Sequence, residues 1–271
     1  MGRVGLGLRL VASAVVTLVG TGACAFGPQR VEAGTGVSRP ATAGLTATGA
    51  GAAPGPGTES TPTGFYEAAA VGAAASCPQG EYQQIVEAYL RKIGGFGPVI
   101  VDGKQSATDC AAIKKFQLRF GISPPEGRAG PTTVDVARRV GNTITQSCQA
   151  GTTTSFCVDL SRQTVWVMKG GKVVLGPTVT RTGMAGYRTP AGTFKVNYRN
   201  LNEWSDPYDV WMPYWQRFYG GMGFHQTTTY IHNKAIGSHG CVNLLASDAK
   251  AMWDLGAVGT RVYLFGRRSG T

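Results

Sequence analysis

The chain has 271 residues, of which 42% are hydrophobic and 15% are charged, which suits two folded domains at most. So low a charge content excludes a coiled coil, and the 40 glycines lack the triplet period of collagen. The formal net charge of +11 favours anionic polymers as partners. Nucleic acid is not predicted as a partner, because the Lys and Arg residues are scattered and form no basic tract.

The N-terminus has the layout of a secretory signal. Two arginines precede an apolar run, Leu10–Val19, that is too short to span a bilayer, and small residues follow it. Cleavage after Ala25 would release the protein, whereas Thr21–Cys24 resembles a bacterial lipobox in which Cys24 becomes the lipid-modified terminus. An uncleaved anchor is the third alternative. We therefore predict a signal peptide at 1–25 and an exported protein, either secreted or lipid-anchored through Cys24.

Either processing route removes Cys24 and leaves an odd number of cysteines. These are Cys77, Cys110, Cys148, Cys157 and Cys241. The first four allow three connectivities. Pairing sequence neighbours, Cys77 with Cys110 and Cys148 with Cys157, keeps each disulfide inside one predicted domain and leaves Cys241 as the free thiol. The alternative is that Cys241 is paired and another cysteine is free.

Composition divides the remainder of the chain into a tether and two domains. Residues 26–76 are predicted to be a disordered tether, since 28 of the 32 residues from Ala33 to Gly64 are Ala, Gly, Pro, Ser or Thr. Between 77 and 147 the apolar spacing predicts three helices. The first ends at Gly94, the second takes Thr108 as its N-cap, and the third opens at Gly130 followed by proline.

The helical segment contains motifs of a known small module. Val101–Gly103, Ala112–Gln117 and Gly130–Thr133 together resemble the peptidoglycan-binding module of bacterial cell-wall enzymes. The resemblance implies a wall-binding domain at 77–147. The alternative is a three-helix spacer without a ligand.

Residues 152–266 are rich in alternating β-branched and aromatic residues, which predicts a mainly β domain. The predicted strands are Phe156–Leu160, Thr164–Met168, Lys172–Leu175, Phe194–Tyr198 and Arg261–Phe265. One late helix is predicted, with Ser247 as its N-cap, Ala249, Met252 and Trp253 facing inward, and Gly256 at its end.

The stretch Ser238–Asn243 carries the chemistry. A cysteine preceded by His and Gly indicates a thiol at a tight turn, with the backbone N–H groups of His239, Gly240 and Cys241 available as an oxyanion hole. A thiolate is a nucleophile, and a nearby imidazole can take its proton. The pattern therefore predicts acyl transfer by a Cys–His pair.

With His225 upstream, the same stretch resembles the signature of the L,D-transpeptidase (YkuD-like) family. Four further segments occur in the expected order, namely Val158–Leu160, Thr189–Phe194, Met212–Trp215 and Gly259–Val262. The resemblance implies that the cysteine attacks the carbonyl of the third residue of a peptidoglycan tetrapeptide stem, that D-Ala leaves, and that an amine of a second stem accepts the acyl group. It implies no cofactor and no metal. Zinc ligation by the three histidines and Cys241 is an alternative, made awkward by the two-residue spacing of His239 and Cys241.

The resemblance also implies roles for individual residues. Cys241 is the nucleophile and His225 its base, oriented by the backbone carbonyl of Gln226, and the imidazole is expected to lower the pKa of the thiol. His239 and Gly240 shape the oxyanion hole, while Ser238 and Asn243 brace the loop. Tyr214 and Met184 are predicted to border the substrate path. The 12 residues between His225 and Ser238 predict a short lid over the cleft.

The predicted fold class is therefore α+β multidomain, with a small three-helix peptidoglycan-binding-like domain at 77–147 and a mainly β L,D-transpeptidase catalytic domain at 152–266. The predicted partners are peptidoglycan stem peptides, as tetrapeptide donor and amine acceptor, and anionic polymers of the cell wall, in the wall or the periplasm. A water acceptor would make the protein an L,D-carboxypeptidase, and a protein amine would make it a protein-to-peptidoglycan ligase. A vestigial thiol would leave a non-catalytic wall-binding protein. The sequence does not determine the oligomeric state.

Overall fold

The structure, a computed structural model, describes residues 77–271 and begins with three helices. The signal peptide and the tether predicted at 1–25 and 26–76 lie outside the described residues. The helices are α1 (Gln83–Ile93), α2 (Ala107–Arg119) and α3 (Pro131–Gly141). None of the helices in this part of the chain has the length and hydropathy of a membrane span.

The N-terminus of α2 differs from the prediction. Its N-cap is Ser106, not Thr108, which lies in the first turn. The Ser106 hydroxyl accepts a hydrogen bond from the Asp109 N–H at 3.1 Å, and the Asp109 carboxylate accepts one from the Ser106 N–H at 3.2 Å. This reciprocal capping box needs an acidic side chain three residues after the cap, and Asp109 stands at that distance from Ser106. The other two ends follow the prediction, since α1 is closed by Gly94 and α3 opens with Pro131 after Gly130.

Two β-sheets and a fourth helix make up the remainder of the described residues. One sheet has the strand order β3-β2-β1-β9-β4 and the other the order β5-β6-β7-β8. The elements are β1 (Ser155–Asp159), β2 (Thr164–Lys169), β3 (Lys172–Val179), β4 (Gly192–Lys195), β5 (Tyr198–Ser205), β6 (Val210–Tyr219), β7 (Met222–Gln226), β8 (Val242–Leu244), α4 (Ala246–Leu255) and β9 (Arg261–Phe265).

The predicted strand at Phe194–Tyr198 is wrong, because the chain changes sheets there. The N–H of Val196 donates to the Thr260 carbonyl on the side of the first sheet. The next N–H, of Asn197, donates to the Arg217 carbonyl in the second sheet. The apolar run therefore contributes to two strands, β4 and β5, rather than to one.

The main core lies between the two sheets. Phe156 and Val158 of β1 point into it, and Phe156 meets Phe224 of β7 edge-on, with ring centroids 5.4 Å apart. Cys157 lies between them in sequence and faces the opposite side of the sheet, where it packs with Trp166. Because both faces are covered, every residue of β1 is buried.

Helix α4 also begins differently from the prediction. It starts at Ala246 after an extended Leu245, so Ser247 lies inside the first turn. Met252 faces the core as expected, but Trp253 is half-buried, and the Arg199 guanidinium lies 3.8 Å from its ring centroid. Trp253 is thus held by a cation–π contact near the surface.

Two disulfides join sequence neighbours, Cys77 with Cys110 and Cys148 with Cys157, and Cys241 is a free thiol. The first disulfide closes the loop between the chain before α1 and the first turns of α2. The second ties the chain before β1 to β1 itself. The described residues therefore contain one thiol able to react.

The three helices share a core with the β-rich part of the chain. Phe116 of α2 and Phe120, the residue that follows the helix, belong to the same buried cluster as Val179 and Ile231, which come from the β-rich part. The described residues belong to one compact unit. The helical segment is thus packed against the sheets rather than separated from them.

An ion pair crosses this contact and provides a stability prediction. The buried Asp248 carboxylate accepts hydrogen bonds from Arg119 Nη2 at 2.8 Å and from the Thr178 hydroxyl at 2.6 Å. Asp248→Ala leaves both donors without their acceptor, so we expect a loss of about 1–3 kcal/mol in the free energy of unfolding. Urea denaturation measures it. The matched control is Asp254→Ala on the same helix, whose pair with Lys250 is exposed to solvent and should contribute much less. Equal losses in the two variants would contradict the prediction.

Candidate active site

Parallel pairing of β7 and β8 brings the predicted nucleophile and base together. His225 is in register with Asn243, and Cys241 stands two residues before Asn243. Residues in register project to the same face of a sheet, so Asn243 lies beside His225, and Cys241 is the residue directly before β8. Cys241, His225 and Asn243 line one cleft of about 180 Å³.

The imidazole of His225 is held in one tautomer. Its Nδ1 lies 2.8 Å from the backbone carbonyl oxygen of Gln226, which can only accept a hydrogen bond, so Nδ1 carries the proton and Nε2 is left as the basic atom. Burial lowers the pKa of His225 to about 4, against the opposing effects of the Gln226 carbonyl and the Asn243 side chain. The charge of Arg181 lowers this pKa further. The imidazole is therefore neutral near pH 7 and able to accept a proton.

The Cys241 thiol is protonated in the resting site. Its Sγ lies 3.8 Å from the carbonyl oxygen of Gly221, and burial raises the pKa of Cys241 to about 11. The expectation that the imidazole lowers this pKa is therefore wrong for the resting site. Desolvation disfavours the charged form of both groups, so the pair rests as thiol and imidazole rather than as thiolate and imidazolium.

This protonation state can be measured through alkylation. In unreduced protein lacking residues 1–25, iodoacetamide should label Cys241, since the other four cysteines are in disulfides. We expect the rate to rise about tenfold per pH unit between about pH 7 and pH 10, because the thiolate fraction rises in that proportion below the pKa. His225→Gln should show the same slope. A fast, pH-independent rate between about pH 5 and pH 8 would instead reveal an ion pair.

Hydrogen bonds from Ser238 hold the loop that carries the thiol. The Ser238 hydroxyl donates to the Cys241 carbonyl at 2.6 Å and accepts from the Gly240 N–H at 3.1 Å. The Gly240 N–H is therefore already used, which corrects its predicted place in the oxyanion hole. The Gly240 carbonyl accepts from the buried Thr189 hydroxyl at 2.7 Å. Gly240 itself has φ +111°, and a Cβ there would lie 2.6 Å from Cε of Met222, so the turn requires glycine.

The chain at 181–184 supports the other side of this loop. Arg181 and Asn243 exchange backbone hydrogen bonds, and the Ser238 N–H donates to the Thr182 carbonyl. The Met184 N–H donates to the Ser238 carbonyl at 2.9 Å. Met184 is thus placed against the backbone of the loop and is not among the residues that line the cleft.

The walls of the cleft come from two segments. One is the hairpin between β5 and β6, which contributes Tyr208, Val210, Trp211 and Met212, and the other is Thr227–Thr229. The short segment between His225 and Ser238 forms one wall through Thr227–Thr229. The β5–β6 hairpin forms the wall that faces it. The sequence signal of this wall is the set of aromatic residues that flank a proline turn between β5 and β6.

The ring of His239 contacts the rings of two tyrosines. It stacks on Tyr208 with centroids 4.2 Å apart at 19°, and Tyr187 meets it edge-on at 4.4 Å. The side chain of His239 therefore joins the β5–β6 hairpin to the loop before Thr189. Neither tyrosine contact is readable from sequence spacing, because the three rings are far apart along the chain.

Two sequence-predicted residues lie elsewhere. Tyr214 is outside the cleft, and its ring packs towards Trp253 with centroids 6.4 Å apart. Its φ of +59° interrupts the alternation of β6, which is the reason it leaves the face that carries Met212. His232 lines a different cavity and hydrogen-bonds the Phe120 carbonyl. Within residues 77–271 no cluster of His, Cys, Asp or Glu is arranged to hold a metal ion.

The cleft contains a thiol and a neutral imidazole, and backbone hydrogen bonds hold the segments that carry them. Such a site is suited to cysteine acyl transfer. Residues 153–264 match the family described as the L,D-transpeptidase catalytic domain, YkuD. The chain is 50% identical to an L,D-transpeptidase (Yku) from Stackebrandtia nassauensis, with a TM-score of 0.71, over 73% of this chain and 98% of that one. It is 31% identical to the catalytic domain of the E. faecium L,D-transpeptidase, over 42% of this chain and 98% of that one, with a TM-score of 0.36. Comparison with curated proteins gives no match. The chain belongs to the L,D-transpeptidase (YkuD) family, a family of acyltransferase-type enzymes.

Proposed function

We propose that this protein is a peptidoglycan L,D-transpeptidase, which cross-links stem peptides through an acyl-enzyme on Cys241 and so serves cell-wall biogenesis. The observation that carries the proposal is that His225 of β7 and Cys241, the residue directly before β8, line one cleft. The identity of 50% to the Stackebrandtia nassauensis L,D-transpeptidase supports it. Catalysis needs no cofactor, because the nucleophile and the base are side chains of this chain.

Acylation begins when the Cys241 thiol passes its proton to Nε2 of His225 as the sulfur attacks the carbonyl of the third stem residue. The raised pKa of the thiol and the lowered pKa of the imidazole make a resting ion pair unfavourable, so proton transfer accompanies attack. The Gly240 N–H is engaged by Ser238, which leaves the N–H groups of His239 and Cys241 to stabilise the oxyanion. The C–N bond then breaks, and D-Ala leaves with the proton from the imidazolium.

Deacylation transfers a second proton in the opposite direction, from the incoming amine through His225 to the sulfur. The amine of a second stem attacks the thioester carbonyl and gives a proton to Nε2 of His225. The new C–N bond forms, the C–S bond breaks, and the sulfur regains its proton from the imidazolium. The cross-link is thus made without any net consumption of acid, base or energy carrier, because one amide bond replaces another.

The charge of the cleft suits an anionic peptide. Among the described residues that line it, Arg181 is the one that carries a permanent charge. Arg181 is buried, so its field is weakly screened by water. The tetrapeptide donor ends in a D-Ala carboxylate, and we assign Arg181 to attracting that group.

The remainder of the chain would place the enzyme at the wall. In this proposal 1–25 exports the protein, 26–76 is the tether, and the helices in 77–147 bind peptidoglycan, with the net charge of +11 favouring anionic wall polymers. The motif Val101–Gly103 is fixed in place, since the buried Glu87 carboxylate accepts hydrogen bonds from the N–H groups of Asp102 and Gly103.

Incubation with purified tetrapeptide muropeptides, read by mass spectrometry, tests the reaction. We expect a cross-linked dimer together with free D-Ala. Tripeptide without dimer would mean that water is the acceptor and that the enzyme is a carboxypeptidase. Tripeptide transferred to a protein amine would indicate a ligase. The absence of any product, with Cys241 intact, would leave a wall-binding protein.

A further inference from the structure

A second cavity, of about 290 Å³, lies where α3 meets the β-rich part of the chain. It is separate from the thiol and is lined by five basic side chains and one carboxylate. These are Arg139, Arg162, Arg181, Lys234 and Arg268, with Asp135. The lining therefore carries a clear excess of positive charge.

The guanidinium groups are held in place by neutral acceptors. Arg139 donates from Nε to the Arg162 carbonyl at 2.8 Å, Arg181 from Nη1 to the Tyr230 carbonyl at 2.8 Å, and Arg268 from Nη2 to the Ile236 carbonyl at 2.8 Å. Carbonyl oxygens orient the cations without neutralising them. Burial lowers the pKa of Arg139, Arg181 and Arg268, and the charge of Arg268 lowers the pKa of the other two.

The single carboxylate does not balance this charge. Asp135 accepts a hydrogen bond from Lys234 at 2.7 Å and lies 3.6 Å from a guanidinium nitrogen of Arg139. Arg162 pairs with Asp159, which is not part of the lining. Arg181 and Arg268 are left without an acidic partner among the described residues of the lining.

Two buried polar atoms in this lining have no hydrogen-bond partner within the described residues. Arg181 is 4% exposed and its Nε is unpartnered, and His232 is 8% exposed and its Nδ1 is unpartnered. Nε2 of His232 lies 2.7 Å from the Phe120 carbonyl, which can only accept, so Nε2 carries the proton of the neutral ring. Nδ1 becomes a donor once the ring is protonated. The unpaired Nε–H of Arg181 is a buried donor, and an unpaired buried donor is costly, which points to a ligand that supplies an acceptor. The same ligand can pair with Nδ1 of His232 once that ring is protonated.

We propose that this cavity binds a doubly charged tetrahedral oxyanion of the phosphate class, with Arg181 Nε–H and the protonated Nδ1–H of His232 as donors, between Arg139 and Arg268. The excess of positive charge favours a dianion over a single carboxylate. The volume exceeds that of a bare anion, so a phosphoryl group with an organic substituent also fits. Arg181 lines both this cavity and the cleft of Cys241, but neither Cys241 nor His225 lines this cavity, so the inference does not depend on the thiol chemistry.

Binding at this site is coupled to a proton on His232. Burial, Arg139 and Arg181 disfavour the imidazolium, whereas the Phe120 carbonyl and Asp135 favour it, and the balance lowers the pKa of His232. The ring of Tyr230 lies edge-on to it at 5.3 Å, and Lys234 and Arg268 add positive charge to the same cavity. A bound dianion favours the imidazolium and raises this pKa, so affinity should rise as the pH falls.

Calorimetric titration of the whole chain with sulfate tests the site, because sulfate keeps its double charge across the pH range used. At constant ionic strength we expect one saturable site, bound about tenfold more tightly at about pH 6 than at about pH 8. His232→Gln should bind with little pH dependence, since an amide cannot take up the proton. An absence of saturable binding, or a pH dependence that persists in His232→Gln, would overturn the proposal.

A matched pair of arginine variants separates the site from general surface charge. Arg268→Gln removes a lining cation and should weaken sulfate binding about tenfold, whereas Arg267→Gln removes the exposed neighbouring charge and should change it less than about twofold. Equal weakening in both would overturn the proposal. If Arg268→Gln does not fold, the His232→Gln result decides.

Two further titrations identify the source of the phosphoryl group. Inorganic phosphate represents the free ion, and a glycerol-phosphate oligomer represents an anionic wall polymer. Tighter binding of the ion assigns the site to free phosphate, and tighter binding of the oligomer assigns it to a polymer; each supports the proposal. If neither inorganic phosphate nor the oligomer binds, and sulfate does not bind either, the proposal is wrong and the cavity holds water.

Discussion

Replacing Cys241 with alanine should lower acyl transfer by about 10⁴-fold or more, because no other described residue of the cleft offers a nucleophile to form the thioester. The fold should be unaffected, since the thiol makes one weak contact, to the Gly221 carbonyl at 3.8 Å. Mass spectrometry of the protein after incubation with tetrapeptide donor measures the acyl-enzyme directly. Wild-type protein should gain the mass of the tripeptide acyl group, and Cys241→Ala should gain nothing.

Two control variants make this result specific. Cys241→Ser keeps the shape of the site but has a much weaker nucleophile, so it should also fail to accumulate the acyl-enzyme. His225→Gln retains the thiol and should acylate about 10²–10⁴ times more slowly, because the base is lost while the nucleophile remains. Cross-linking by Cys241→Ala within tenfold of the wild-type rate would show that another group is the nucleophile.

Deleting residues 1–147, and with them the helices in 77–147, should leave a fragment that does not fold stably. The helices cover Val179 and Ile231, which are 0% and 5% exposed, and burial of each is worth about 1.5–3 kcal/mol. The deletion also removes Arg119 from the buried Asp248 carboxylate. These losses are comparable with a typical total stability of about 5–15 kcal/mol. Circular dichroism of the fragment 148–271 during heating should show no cooperative transition, or one at a much lower temperature.

The matched control for this deletion is removal of residues 1–76, which should leave the transition where it is in the longer chain. A fragment 148–271 that melts cooperatively within a few degrees of the whole chain would contradict the prediction. That result would favour a separable wall-binding domain, as the resemblance of 77–147 to a known module implies. The deletion therefore also tests how far the two predicted domains are independent.

The turn that carries the candidate thiol could be predicted from the sequence because its signals are local. Ser238–Asn243 places a cysteine, a glycine and a hydroxyl within one turn, and the hydrogen bonds of that turn join neighbours in the chain. The same holds for the start of α3 at Pro131, where a proline fixes the first helical turn. In such places the chemistry of a few adjacent residues is enough to fix the structure.

Contacts between distant segments were decided by the tertiary structure alone. The tyrosines that contact His239 come from the β5–β6 hairpin and from the loop before Thr189, and no sequence spacing relates them. The break between β4 and β5 depended on backbone partners in two different sheets, which the local sequence pattern does not specify. The protonation state of Cys241 was also not predictable from the sequence. A nearby imidazole predicts a lowered pKa of the thiol. Desolvation, which depends on the packing of the folded chain, raises that pKa instead.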